Sequence, residues 1–283
     1  MWLRHGRKQK YWHKDTTATM NTASSLLAIA LYFVATGLLW QEIRQGQSRY
    51  KAALWLGVLA AACHGLASYT GMITPTGMNI SLSQVSILIS WFVVTLTLLS
   101  GIIRPLLNIL ITIFPFTATV LLINMLAGSP PKLIGHSSGV MSHIVLSLLS
   151  YSVLTIAAIQ AATLAVQEYR LKHHQLRGLL KVLPPLVTME AMLFELVLIG
   201  FVLLTLSIGT GAYYVDDLFA QHLVHKSVFS ILAWLCFGTL LIGRHQLGWR
   251  SRTAIRWTLL AFGLLLIGYL GSKFVLEVLL ERS

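Results

Sequence analysis

Four of the ten histidines in this 283-residue chain, His64, His143, His225 and His245, fall inside or at the ends of long apolar runs. A neutral imidazole in hydrocarbon must find a hydrogen bond, a metal or a heme iron, because no water is there to satisfy its ring nitrogens. His222 and His225, three residues apart beside Asp216 and Asp217, share a helical face and permit a divalent metal. Lys273 and Glu277 stand four apart in the last apolar run, where an ion pair lowers the burial cost of each. His5, His13, His136, His173 and His174 lie outside the runs and read as solvated. Cys63 and Cys236 are each mid-run with no CxxC pattern, so they read as small core hydrophobes. There is no nucleophile elbow, Walker sequence or Gly-rich dinucleotide turn, so these residues point to binding rather than to bond-making catalysis.

The elements that must position them are membrane helices. Hydrophobic residues make up 56% of the chain and charged residues 11%. The apolar stretches reach the roughly 20 residues that a helix needs to cross about 30 Å of hydrocarbon. Hydropathy predicts eight spans, at 23–41, 52–72, 81–101, 106–127, 139–165, 190–213, 222–243 and 254–280. Unbroken apolar runs satisfy their backbone groups only as helix, and the ten-residue alternation of a membrane barrel is absent. The expected fold is an all-α polytopic membrane helix bundle of about eight transmembrane helices. Residues 20–283 form a single domain, preceded by a basic leader at 1–19 that is set aside from the fold as an extension or non-native segment.

Charge sets the expected orientation. The connections after spans 1, 3, 5 and 7, with Arg256 just beyond, hold twelve Lys/Arg, whereas the intervening ones hold only Lys132 and Lys226. The positive-inside rule then puts the odd connections in the cytoplasm and both termini outside. The net charge of +12 is mostly this topology signal, with attraction to anionic lipid, and calls for no nucleic acid.

A recognisable stretch begins at Leu183-Pro184-Pro185-Leu186 and continues through Glu190, Phe194, Gly200-Phe201, Thr205-Leu206 and Thr210-Gly211. It goes on with His225-Lys226 to Trp234, Gly243-Arg244-His245, Gly248-Trp249-Arg250 and Tyr269-Leu270-Gly271-Ser272-Lys273-Phe274. Looser correspondences precede it at Cys63-His64-Gly65, Ser90-Trp91, Ser142-His143 and Ser150-Tyr151. The pattern resembles the cytochrome c assembly family of integral membrane heme handlers, and covers residues 24–280. The family's Gly-Trp-Arg-Gly turn has Ser251 in place of its last glycine. The connection from Tyr213 to Lys226 lacks the Trp-rich segment that presents heme, and Leu280 stands where an outer axial histidine is expected. These departures argue against heme delivery to apocytochrome c and point to the shorter HemX/YpjD-type branch.

The resemblance implies a bacterial inner-membrane protein that binds heme b, embedded in the lipid bilayer among other membrane proteins of cytochrome or heme maturation. Its implied heme contacts are His143, His225, His245, His64 and Lys273. His143 and His225 each start a span that enters from outside, so two helices could offer the opposed imidazoles of a bis-histidine iron site. His64 with His245 is the rival pair, although their depths differ by much of a leaflet. Lys273 reads first as the partner of Glu277 and second as a contact for a heme propionate. Glu195 is within reach of an arginine of the seventh connection. Two other classes remain open: a small-solute or proton-coupled transporter relaying protons through His64, Lys273 and Glu277, and a non-catalytic regulatory subunit of tetrapyrrole metabolism.

Overall fold

The computed structural model describes residues 3–45, 49–74, 77–103, 107–126, 133–134, 138–174, 184–214 and 224–271. Its helices are α1 (Leu3–Gln45), α2 (Tyr50–Met72), α3 (Leu82–Ile103), α4 (Leu107–Leu126), α5 (Ser138–Lys172), α6 (Leu186–Tyr214), α7 (Val224–Leu247) and α8 (Ser251–Leu266). Each apolar run became a helix because in lipid a helix alone satisfies every backbone group within one segment. The chain is an all-α polytopic bundle. Among the described residues, seven helices are long and apolar enough to cross a membrane, α1 through α7. The eighth expected span is described as the 16 residues of α8 and a 5-residue π-helical turn, Ile267–Gly271. Lys273 and Glu277 lie outside the described residues.

The helices depart from the expected spans mostly at their polar ends, where hydropathy is silent. α5 runs on to Lys172 and α6 starts directly after Pro184-Pro185. α1 has 43 residues, about 65 Å at the helical rise, of which the apolar part is Asn21–Gln45. The basic residues from Arg4 to Lys14 lie on the same helix as that apolar part.

One element breaks the all-helix expectation. Strands β1 (Ile73–Thr74), β2 (Gly77–Asn79) and β3 (Leu133–Ile134) form a small antiparallel sheet that ties the α2–α3 connection to the α4–α5 connection. Its register pairs Ile73 with Met78 and Met78 with Ile134. Strands this short carry no hydropathy signature, and they pair only because the helices bring the two connections to the same end of the bundle.

The core has two parts. Tyr32, Leu39, Ile109, Ile113 and Phe114 centre a cluster built from α1 to α4, with Ile156 of α5 and Met192 of α6 at its edge. Leu154, Leu164, Met189, Leu193 and Phe237 centre another built from α5 to α8. α5 joins them, packing on α6 and α8 on one side and on α3 on the other. Small residues let the helices approach closely, as membrane helices without a hydrophobic drive between them require. A Cβ on Gly200 would run into Leu154, and one on Gly57 would lie 2.5 Å from the Phe114 ring.

Candidate functional site

The α5–α6 seam carries the first of the expected heme contacts. Four polar side chains of α5 reach carbonyl oxygens of the α6 strand of chain in antiparallel order. His143 Nδ1 lies 2.8 Å from Ser207 O and Ser150 Oγ donates to Gly200 O at 3.2 Å. Gln160 Nε2 donates to Met189 O at 3.2 Å, and Gln167 Nε2 to Pro184 O at 3.0 Å. Each donor satisfied on the neighbouring helix costs nothing in lipid exposure, and together they fix the register of the pair.

His143 sits at the α5 end of this seam, half-buried, over the bare face of Gly211, whose added Cβ would lie 2.9 Å from His143 Cε1. A carbonyl oxygen can only accept, so the contact to Ser207 O requires the proton on Nδ1. That leaves the lone pair on Nε2. Its nearest partner is Ser147 Oγ at 3.4 Å, but that hydroxyl has two shorter contacts, to His143 O and to Ser207 Oγ, both at 2.7 Å. A ring nitrogen oriented by an N–H···O=C bond on the other side is the usual arrangement of a metal-ligating histidine. The donor chemistry of His143 therefore fits a heme iron.

His64 is in a different situation. It is fully buried in α2, with Nε2 donating to Ile87 O of α3 at 3.1 Å and Nδ1 facing the Tyr32 hydroxyl of α1 at 3.4 Å. Tyr32 is itself fully buried and stacked on Phe114 at 5.6 Å, so nothing flat could reach Nδ1 without displacing both rings. The imidazole bridges three helices. Its donor set does not fit an iron.

The other expected contacts are spread apart. His225 lies in the first turn of α7, at the same end of the bundle as His143, and its side chain is outside the described residues. His245 is exposed near the opposite end of α7, where Leu240 and Leu241 pack in the cluster of Leu154 and Phe237, whereas Ala60, Ala61 and Cys63 beside His64 pack in that of Tyr32 and Phe114, so that pair is not brought together. Among the described residues no group of three or more His, Cys, Asp or Glu could hold a metal ion. His222 and both neighbouring aspartates are outside them.

At the far end, Glu190 meets the arginines of the α7–α8 turn. Glu190 is 7% exposed, and its Oε1 pairs with Arg244 Nη1 at 2.5 Å and faces Arg250 Nε at 3.6 Å. Its Oε2 accepts from the backbone N–H of Ser251, the first residue of α8, at 3.1 Å. A carboxylate there meets the unpaired N–H groups and positive dipole of a helix start. Arg244 also donates to Trp249 O at 3.3 Å and lies over the Phe194 ring at 4.4 Å. Glu168 of α5 completes the network through Arg252 Nε at 2.5 Å and Ser251 Oγ at 3.2 Å. One buried acid thus holds α6, α7 and the α7–α8 turn together.

That turn explains two glycines. Gly248 has φ +64°, and Trp249 folds back so that a Cβ on Gly243 would run into its ring. Ser251, where the resembling family has glycine, has φ +31°, a conformation that glycine adopts freely and serine does not.

With its helix bundle, its half-buried His143 and its Glu190-centred turn, the chain belongs to the cytochrome c assembly protein family, whose family model, described as Cytochrome C assembly protein, matches residues 80–280. Among its relatives, the inner membrane protein YpjD of Escherichia coli (strain K12) is 32% identical over 264 residues, 90% of this chain and 98% of YpjD. Protein HemX of Brevibacillus brevis is 28% identical over 133 residues, 46% of this chain and 49% of HemX. The HemX/YpjD-type branch expected from the motifs is therefore the one found. No solved structure matches the chain.

Proposed function

We propose that the chain is a heme-handling protein of the bacterial inner membrane, which receives, stores or moves heme within or across the bilayer. The observation that carries the reading is the 2.8 Å contact of His143 Nδ1 with Ser207 O: the carbonyl accepts the Nδ1–H hydrogen bond, and the lone pair falls on Nε2, 3.4 Å from Ser147 Oγ. Membership of a cytochrome c assembly family supports the choice of heme over another metal. In this reading His143 and His225 hold the iron of heme b, and Lys273 meets a propionate. His245 contacts the cofactor's path instead of sharing an iron with His64. Bound heme supplies an iron that exchanges axial ligands; the chain's own task is to orient the imidazoles, exclude water and release the ring. Other membrane proteins of cytochrome or heme maturation are the expected exchange partners.

The orientation is part of the proposal. The end bearing Glu190, Arg244, Arg250 and Arg252 faces the cytoplasm, and the His143 end and both termini face outward, as the positive-inside rule asks.

Purification in mild detergent tests the reading. A Soret band that shifts on reduction supports it. A colourless protein that stays apo after hemin is supplied overturns it and leaves the transporter and regulatory readings. His143→Ala and His225→Ala should each lower heme content, with external imidazole restoring part of the Soret absorbance by filling the vacated axial position.

A further inference from the structure

Small residues hollow the lipid-facing side of the α2–α3 seam. Ala61 and Ala62 of α2 and Gly101 of α3 line a groove of about 570 Å³ between the two helices. Both helices are long and apolar enough to cross a membrane, and Trp55 and Leu99 on its two rims are 75% and 55% exposed, so the groove opens toward lipid. It runs from Lys51, in the first turn of α2, to Ala62, a helical length of about 16 Å. There Trp91 of α3 closes it, with Nε1 donating to Ala61 O at 2.9 Å. Hydrocarbon is about 30 Å thick, so the groove is one leaflet deep.

The groove has one polar group to offer. The Trp91 N–H is taken by Ala61, and the Thr95 hydroxyl oxygen is buried away from the groove surface. Lys51 is exposed at the mouth, and among the described residues no acid pairs with it. Trp55 follows one turn further in on the same face of α2, so an ammonium and an indole frame the mouth, as they do at head-group level in membrane proteins. A cation above an apolar slot of one leaflet's length matches a molecule with an anionic head and a hydrocarbon tail. An isoprenoid quinone would leave the ammonium without a counter-charge. A partner's transmembrane helix would need a face that runs the full hydrocarbon thickness, and the groove stops about halfway, at Trp91.

We infer that the α2–α3 groove binds an anionic glycerophospholipid, with one acyl chain lying between Trp55 and Trp91 and the phosphate on the Lys51 ammonium. The lipid belongs to the leaflet at the Glu190 end of the bundle, where α2 begins. Its chain supplies the packing that Ala62 and Gly101 leave out between the two helices. None of these residues belongs to the His143 site, so the lipid site is independent of heme.

Native mass spectrometry of the detergent-purified full chain, equilibrated with mixed micelles of phosphatidylglycerol and phosphatidylcholine, tests this. The wild type should retain one phosphatidylglycerol in preference to phosphatidylcholine. Lys51→Ala should weaken that retention about fivefold, and Lys51→Arg should keep it. Ala62→Phe puts a ring into the groove and should abolish retention, as should Val58→Trp from the same wall. Lys51, Val58 and Ala62 are all exposed, and circular dichroism checks that each variant is folded. Equal retention of the two lipids would overturn the inference, as would folded Ala62→Phe and Val58→Trp variants that retain phosphatidylglycerol as the wild type does. Displacement of the retained lipid by an isoprenoid quinone or by palmitate at equal concentration would also overturn it.

Discussion

His143 Nδ1 and the carbonyl oxygen of Ser207 are 2.8 Å apart, and this contact both closes the α5–α6 seam and decides which ring nitrogen is free. A structural hydrogen bond and a ligand-orienting one are here the same bond. The first prediction follows from what lies beneath the ring. Gly211→Val should push the imidazole off its carbonyl and reduce heme content as far as His143→Ala does, whereas Ser207→Ala keeps the carbonyl and should retain most of the heme. Pyridine hemochrome absorbance per mole of protein reads both.

The seam makes a prediction about stability. Gln160 is fully buried, and among the described residues its Oε1 has no hydrogen-bond partner while its Nε2 bonds to Met189 O. Gln160→Met should change stability by no more than about 1 kcal/mol, since it loses one interhelical bond and also an unmet oxygen. Gly200→Val should cost about 2 kcal/mol or more, because its side chain enters the space of Leu154. Reversible unfolding in mixed micelles ranks the two, and a larger loss for Gln160→Met would contradict the assignment.

Glu190→Ala leaves Arg244 half-buried with no acid and removes the carboxylate at the start of α8. The expected loss is about 3 kcal/mol, the low end for breaking a buried pair because the Arg244 side chain is 37% exposed. Glu195→Ala, at an exposed position, should cost much less. Thermal unfolding of both variants in detergent compares them directly.

Ser251 holds φ +31° while its hydroxyl bonds to Glu168. Ser251→Gly relieves the backbone and loses that bond, so its melting temperature should lie close to the wild type. Ser251→Val keeps neither advantage and should lower it by several degrees.

Reporter fusions at residues 45 and 175 should both report a cytoplasmic location. An alkaline phosphatase signal at residue 175 would reverse the bundle and exchange the sides assigned to the His143 end and the Glu190 end.

Composition and run length alone determined that this chain is a bundle of membrane helices, because hydrocarbon permits no other way to satisfy a long apolar backbone. The order of motifs from Leu183 to Phe274 was equally legible, since it is local and needs no partner in space. What the four histidines do was not legible. His64 and His143 are both histidines in apolar runs with serine and glycine nearby, yet one is fully buried with both ring nitrogens turned to neighbouring helices, and the other is half-buried with Nε2 turned only to Ser147 of its own helix. The difference lies in which carbonyl of another helix meets the ring, and that is fixed by helix packing across 23 and 64 residues of sequence. For the same reason the meeting of Glu190 with Arg244 and Arg250 was not legible: it joins α6 to the α7–α8 turn, and only packing brings them together. His173 read as solvated and is exposed at the end of α5, but that α8 brings Arg256 near it is a matter of packing that no pattern along the chain reveals.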